Sequence, residues 1–185
     1  MPRSINPHLL GWGCVLLLLA LPALLGAPWT LSDYGFAAIL FALAGGAIEL
    51  GLLASSNIAY RLAMMIAVTT AFLLIWVNAA VGLLGDEGNP ANAMFGIVLL
   101  VALAAVILAR FAAQGMARAM IVTTVAQALA GVVGWSLGWA SPGDAGLYEV
   151  AVGTARFCTL WLASAALFAR AARQSAQSRT ASPSI

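Results

Sequence analysis

Lysine is missing from this chain, histidine occurs once and cysteine twice. Charged residues of either sign make up 8% of it, against about 25% in an ordinary soluble domain. Each shortage excludes something. A net charge of +2, with no run of basic residues, offers no grip on a nucleic-acid backbone, so no nucleic-acid partner is expected. His8 alone and the lack of a CxxC leave no Cys/His metal site and no axial pair for haem, so neither a metal nor a cofactor is expected. Cys14 and Cys158 lie in apolar runs, away from the polar turns where disulfides form, and read as free buried thiols. No GxSxG, Walker loop or HExxH occurs. Asp86 and Glu87 are adjacent, project apart, and make no acid–base dyad. Without a nucleophile–base set, an enzyme is not expected.

What the chain has in abundance is apolar surface. Of its 185 residues 63% are hydrophobic, and the mean hydropathy is +1.02. A soluble fold of this size cannot hide that much, because its surface fraction is set by geometry. The solvent is lipid, and a helix needs about 20 apolar residues to cross it. Six stretches qualify, at about His8–Gly26, Tyr34–Ala54, Leu62–Leu84, Ala93–Ala112, Met120–Ala140 and Leu147–Phe168. The connections APWTLSD, SSNIAYR, GDEGNPAN, AAQGMAR and SPGDAG are short and rich in turn formers, so neighbours run antiparallel. The first stretch has the outline of a signal sequence, but Leu25-Gly26-Ala27 followed by Pro28 is a poor cleavage site. A retained helix, kinked at Pro22, is expected instead.

The few charges orient the bundle. All eight basic residues are arginine, and Arg3, Arg61, Arg110, Arg118, Arg170, Arg173 and Arg179 fall at the N-terminus, the even connections and the C-terminus. Asp33, Asp86, Glu87, Asp144 and Glu149 fall beside the odd connections. Six helices separate the two sets cleanly, where five or seven would mix them, and the arginine side is the cytoplasmic one. The expected fold is all-α: an integral membrane bundle of six transmembrane helices with both termini cytoplasmic. Residues 1–173 form a single domain and 174–185 a disordered polar tail.

Two charges stand apart from this pattern. Glu49, beside Gly45 and Gly46, lies within the second stretch, and Arg156 lies mid-way along the sixth. Intramembrane ionisable groups are costly unless paired, hydrated or neutralised. An Arg156–Glu49 pair is the natural reading, either as architecture or as part of a pathway for an ion-coupled carrier. Asn78, Thr69, Thr70, Thr123, Thr124 and Gln127 are the other intramembrane polar groups. Thr69, Thr70, Thr123 and Gln127 are expected to share a layer, as glue between helices or as a polar path. Gly134 and Gly138 form a GxxxG, a close helix contact within the bundle or between two copies of the chain. The Met64–Thr70 and Ala119–Thr124 segments are alike enough to suggest a parallel repeat of helical hairpins.

One stretch carries a resemblance. Trp76-Val-Asn78-Ala-Ala-Val-Gly82, with Glu87, Asn89-Pro90-Ala-Asn92 and Met94, resembles a WVNxAVGxxGxExNPAN-like pattern. That pattern belongs to an uncharacterised family of small multi-pass bacterial inner-membrane proteins. Tyr60-Arg61, Arg110-Phe111 and Gly115-Met-Ala-Arg118 are similar too, so the likeness runs from about Asp33 to Arg173. It implies no activity. It does imply that Asn78, Glu87, Asn89, Pro90 and Asn92 are more than a convenient turn; a structural role, with Asn78 reaching up to cap the turn's free backbone groups, would explain the same residues.

The function expected is therefore that of a non-enzymatic, accessory or structural component of a bacterial cytoplasmic membrane. Its partners are the bilayer and other membrane proteins, or a second copy through Gly134 and Gly138. The competing reading is a small ion-coupled carrier built on Glu49 and Arg156.

Overall fold

The computed structural model describes residues 7–181, and every regular element among them is helical. The helices are α1 (Pro7–Leu24), α2 (Leu31–Ala54), α3 (Ile58–Ala80), α4 (Ala93–Ala109), α5 (Ala113–Ser136) and α6 (Asp144–Ala181). A 3-10 turn, Pro90–Asn92, leads into α4. Five of them, α2 to α6, are long and apolar enough to cross a membrane, while α1 is a shorter apolar helix. Only 17% to 50% of each long helix's apolar window is buried within the protein. Leu53 and Leu108 leave 80% and 82% of their surface uncovered. Such exposure is untenable in water and ordinary in lipid.

The contacts divide the chain into two compact units, Met1–Leu50 and Gly51–Ile185. In the first, α1 lies antiparallel to α2. Trp12 packs its ring over Gly45, where an added Cβ would come within 2.9 Å of it. One turn further along each helix, His8 meets Glu49. Cys14 is exposed on α1 rather than buried.

In the second unit α6 is the centre. It packs along both α3 and α5, and α4 packs on α5, while α3 and α4 touch lightly although they are consecutive. The Ser164 hydroxyl donates to the Ala63 carbonyl (2.9 Å), and the Tyr60 and Phe168 rings meet edge to face at 5.0 Å. On the other side Cys158 donates weakly to the Thr124 carbonyl, and Thr154 covers Gly131. Both registers run antiparallel. Small residues on the buried face of α5, among them Ala117, Ala130, Gly131 and Gly134, let α6 come close. Trp161, Tyr60, Phe95, Phe168 and Leu74 fill the space between.

Three boundaries differ from the sequence reading. Helix α3 stops at Ala80 instead of Leu84, because Gly82 turns to φ +74°. Helix α5 starts at Ala113 instead of Met120. The reversal takes only Arg110–Ala112, with Arg110 and Phe111 both left-handed (φ 47° and 58°). Gly115 is not a turn residue; inside α5 it makes room for Ala109. Helix α6 runs on to Ala181, so the segment from Gln174 expected to be an irregular tail begins as helix. The sequence from Ala169 holds no glycine or proline until Pro183, and alanine, arginine and glutamine favour helix. Residues 182–185, like Arg3, lie outside the described residues.

Candidate functional site

The polar stretch after α3 is a folded plug, not an open loop. Gly82 caps α3 in the left-handed conformation, its N–H donating to the Val77 carbonyl at 3.2 Å. The chain then turns back into the bundle. Leu84 ends fully buried against Gly134, where a Cβ would come within about 2.5 Å of its methyl carbon. A backbone sent inward has amides to satisfy, and Asn92 satisfies them. Its Oδ1 accepts from Leu83 N and Leu84 N (3.0 and 2.9 Å), and its Nδ2 donates to the Asp86 carbonyl at 2.7 Å. Asn89 caps the 3-10 turn through Ala91 N (2.9 Å) and donates to the Trp139 carbonyl, tying this turn to the end of α5. Pro90 opens the 3-10 turn, where its missing N–H costs nothing. Glu87 is exposed at the tip.

Asn78 does not cap the turn. It sits below the end of α3 with its side chain leaning back along the helix, so its Nδ2 donates to the Leu74 carbonyl at 2.8 Å. Asn92, on the returning chain, does that work instead. The Gly134–Gly138 pair also divides. Gly134 seats Leu84, while Gly138 lies beyond the end of α5 with φ +72°, closing a Schellman motif through Gly138 N to Trp135 O and Trp139 N to Gly134 O (both 3.0 Å). The two glycines therefore form no continuous helical stripe.

Three of the four residues expected to share a polar layer, Thr70, Thr123 and Gln127, are buried, and the two threonines donate to their own helices at Ile66 and Ala119. Thr69 is not among them. One residue along α3 turns it about 100° away, onto the exposed face. Both amide atoms of Gln127, Asn78 Oδ1 and Trp161 Nε1 have no hydrogen-bond partner among the described residues.

The two intramembrane charges fall in different units. Glu49 accepts from, or shares a proton with, His8 Nδ1 at 2.7 Å, the two side chains being 31% and 51% exposed. Both residues lie a few positions from the paired ends of an antiparallel hairpin, a register that could have been read from the sequence. Arg156 is exposed and has no ion pair or hydrogen bond among the described residues. It lines a recess of about 440 Å³ together with Tyr148, Glu149 and Gly153 of α6 and the chain from Val77 to Gly85. Glu149, Val152, Gly153 and Arg156 fall on one face of α6 by their spacing, and Gly153 lets Leu83 approach, a Cβ there lying 3.0 Å from it.

Sequence reasoning passed over three groups that tie the opposite end together. Asn57 caps α3 through Ala59 N and Tyr60 N, and donates to Gln174 at 2.9 Å. The buried Tyr60 hydroxyl donates to the Phe111 carbonyl at 2.9 Å. The Arg61 guanidinium donates to the carbonyls of Ser55 and Leu52 (2.8 and 3.3 Å), which end α2. An Asn before an apolar run is a cap signal that was available. No family model, curated protein or solved structure matches the chain.

Proposed function

We propose that the chain is an accessory or structural component of a bacterial cytoplasmic membrane, non-enzymatic and multi-pass, with six crossing helices and both termini on the cytoplasmic side. It stands in this proposal as a member of the inner-membrane family that the Trp76–Met94 stretch resembles. The observation that carries the reading is the turn over residues 82–92. Its Asn89 and Asn92 side chains are spent on fixing its own backbone and on holding the next turn at Trp139, while the Glu87 carboxylate stays exposed at the tip. A rigid, capped surface at the end of a bundle suits docking against another membrane protein. The Thr70 and Thr123 hydroxyls, each bonded within its own helix, and the His8–Glu49 contact weigh against a carrier pathway. Six crossings are supported by the charges of the second unit. Arg61, Arg118, Arg170 and Arg173 lie toward one end of α3, α5 and α6, while Asp86, Glu87 and Glu149 lie toward the other.

Gentle extraction from native membranes, followed by mass spectrometry of what co-purifies, tests the role. A stoichiometric partner lost in Glu87→Lys with Asn89→Ala is the expected result. A chain that purifies alone from every preparation would contradict it. Reporter fusions test the topology: periplasmic signals are expected after Glu87 and after Gly143, and a cytoplasmic one after Arg118.

A further inference from the structure

The recess beside Arg156 does not end there. A second groove of about 510 Å³ continues along α6 past Arg156 to Thr159 and Leu160. A third, of about 270 Å³, shares Leu160 and runs between α3 and α6 past Met65, Thr69 and Leu73. Charged lining is thus confined to one end, at Glu149 and Arg156 beside Tyr148, and of the remainder only Thr159, Thr69 and Thr70 carry a polar atom in an otherwise hydrocarbon wall. From Tyr148 to Leu160 the seam is about 18 Å long at 1.5 Å per residue. One leaflet of a bilayer has about 15 Å of hydrocarbon. A polar head followed by an apolar groove of leaflet depth has the outline of a phospholipid.

The charges narrow the headgroup. Arg156 lies two turns deeper than Glu149 on the same face, and its side chain leans toward the start of α6, so the guanidinium rises toward the recess. Neither residue has a partner of its own among the described residues. A guanidinium is matched to phosphate oxygens. Glu149, nearer the helix start, opposes an anionic headgroup and complements an ammonium. In a zwitterionic lipid the phosphate is the deeper of the two charges, which is the order presented here. We infer that the α3–α6 seam is a specific site for a phospholipid with a phosphoethanolamine headgroup, the phosphate held by Arg156, the ammonium by Glu149, and one acyl chain laid along Val152, Thr159 and Leu160.

This inference rests on the chain being embedded in a membrane, which fractionation of the same preparation tests by itself. A chain found in the soluble fraction would sink the membrane reading. A membrane-bound chain without the lipid preference would sink only the site. The protein is reconstituted in nanodiscs of equal phosphatidylethanolamine and phosphatidylglycerol content, then released and weighed by native mass spectrometry. The wild type should retain phosphatidylethanolamine over phosphatidylglycerol by about tenfold, the worth of one charge-assisted hydrogen bond. Glu149→Gln should keep a lipid but lose that preference. Arg156→Gln should lose both lipids, and Arg156→Lys should recover part of the binding. Equal retention of the two lipids by the wild type, or undiminished retention by Arg156→Gln, overturns the proposal. Should Arg156→Gln fail to fold, the wild-type preference and its loss in Glu149→Gln decide the matter. Competition with glycerophosphoethanolamine, which has the head and no tails, separates a lipid site from one for a soluble zwitterion. Displacement at matched concentration would refute the lipid.

Discussion

Asn92 holds more of the turn over residues 82–92 than any other side chain in it. Its carboxamide oxygen serves two amides and its nitrogen the Asp86 carbonyl. Asn92→Ala leaves those backbone groups unpaired, at about 1–3 kcal/mol. A lower midpoint of thermal unfolding in detergent is expected, with Asn78→Ala costing less because only one bond within α3 is lost. Gly134→Leu pushes against Leu84, which is fully buried and has nowhere to go, and overpacking of this kind costs about 1–3 kcal/mol. Leu84→Ala combined with it should restore part of the loss in the same assay. Gln127 gives the opposite sign. Its amide is buried with no hydrogen-bond partner among the described residues, so Gln127→Leu should leave stability equal or raise it by about 1 kcal/mol. A drop instead would show that the amide has work to do. The sequence marked Asn92, Asn89 and Gln127 as polar groups out of place. It did not show which of Asn78 and Asn92 caps the turn, because that depends on Leu84 folding back into the core.

At the level of the helices, composition was a good guide to existence and a poor one to ends. Apolar runs of membrane length located all six. Their boundaries were decided by single backbone conformations: Gly82 ends α3 early, and Arg110 with Phe111 reverse the chain between α4 and α5 without any glycine. Left-handed φ at a non-glycine residue has no signature in composition. The end of α6 is hard to read for a different reason, since polarity resembles disorder. Alanine-rich polar sequence is also good helix sequence once a neighbour holds its first turns, and Asn57 supplies such a contact at Gln174. Hydrogen exchange tests this element directly. Amides of residues 174–178 should be slowed relative to an unstructured tail, and Asn57→Ala should speed them while leaving those around Trp161 unchanged.

For the whole molecule, arginine and acid placement carries the proposed topology, while packing order was invisible. Nothing in the pattern of apolar residues told that α6 would lie between α3 and α5. Each helix is apolar around much of its circumference, so periodicity does not name the partner face. Helix α6 also has a consequence of simple length. Its 38 residues measure about 57 Å, whereas a bilayer with its headgroups measures about 40–45 Å. The surplus makes a stiff mast, and a mast can serve as a ruler. A dye on Ser178→Cys, in a chain with Cys14 and Cys158 replaced by alanine, should transfer less energy to an acceptor in the lipid surface than the same dye on Ala112→Cys. The difference reads in ångströms how far this end of the protein stands off the membrane it belongs to.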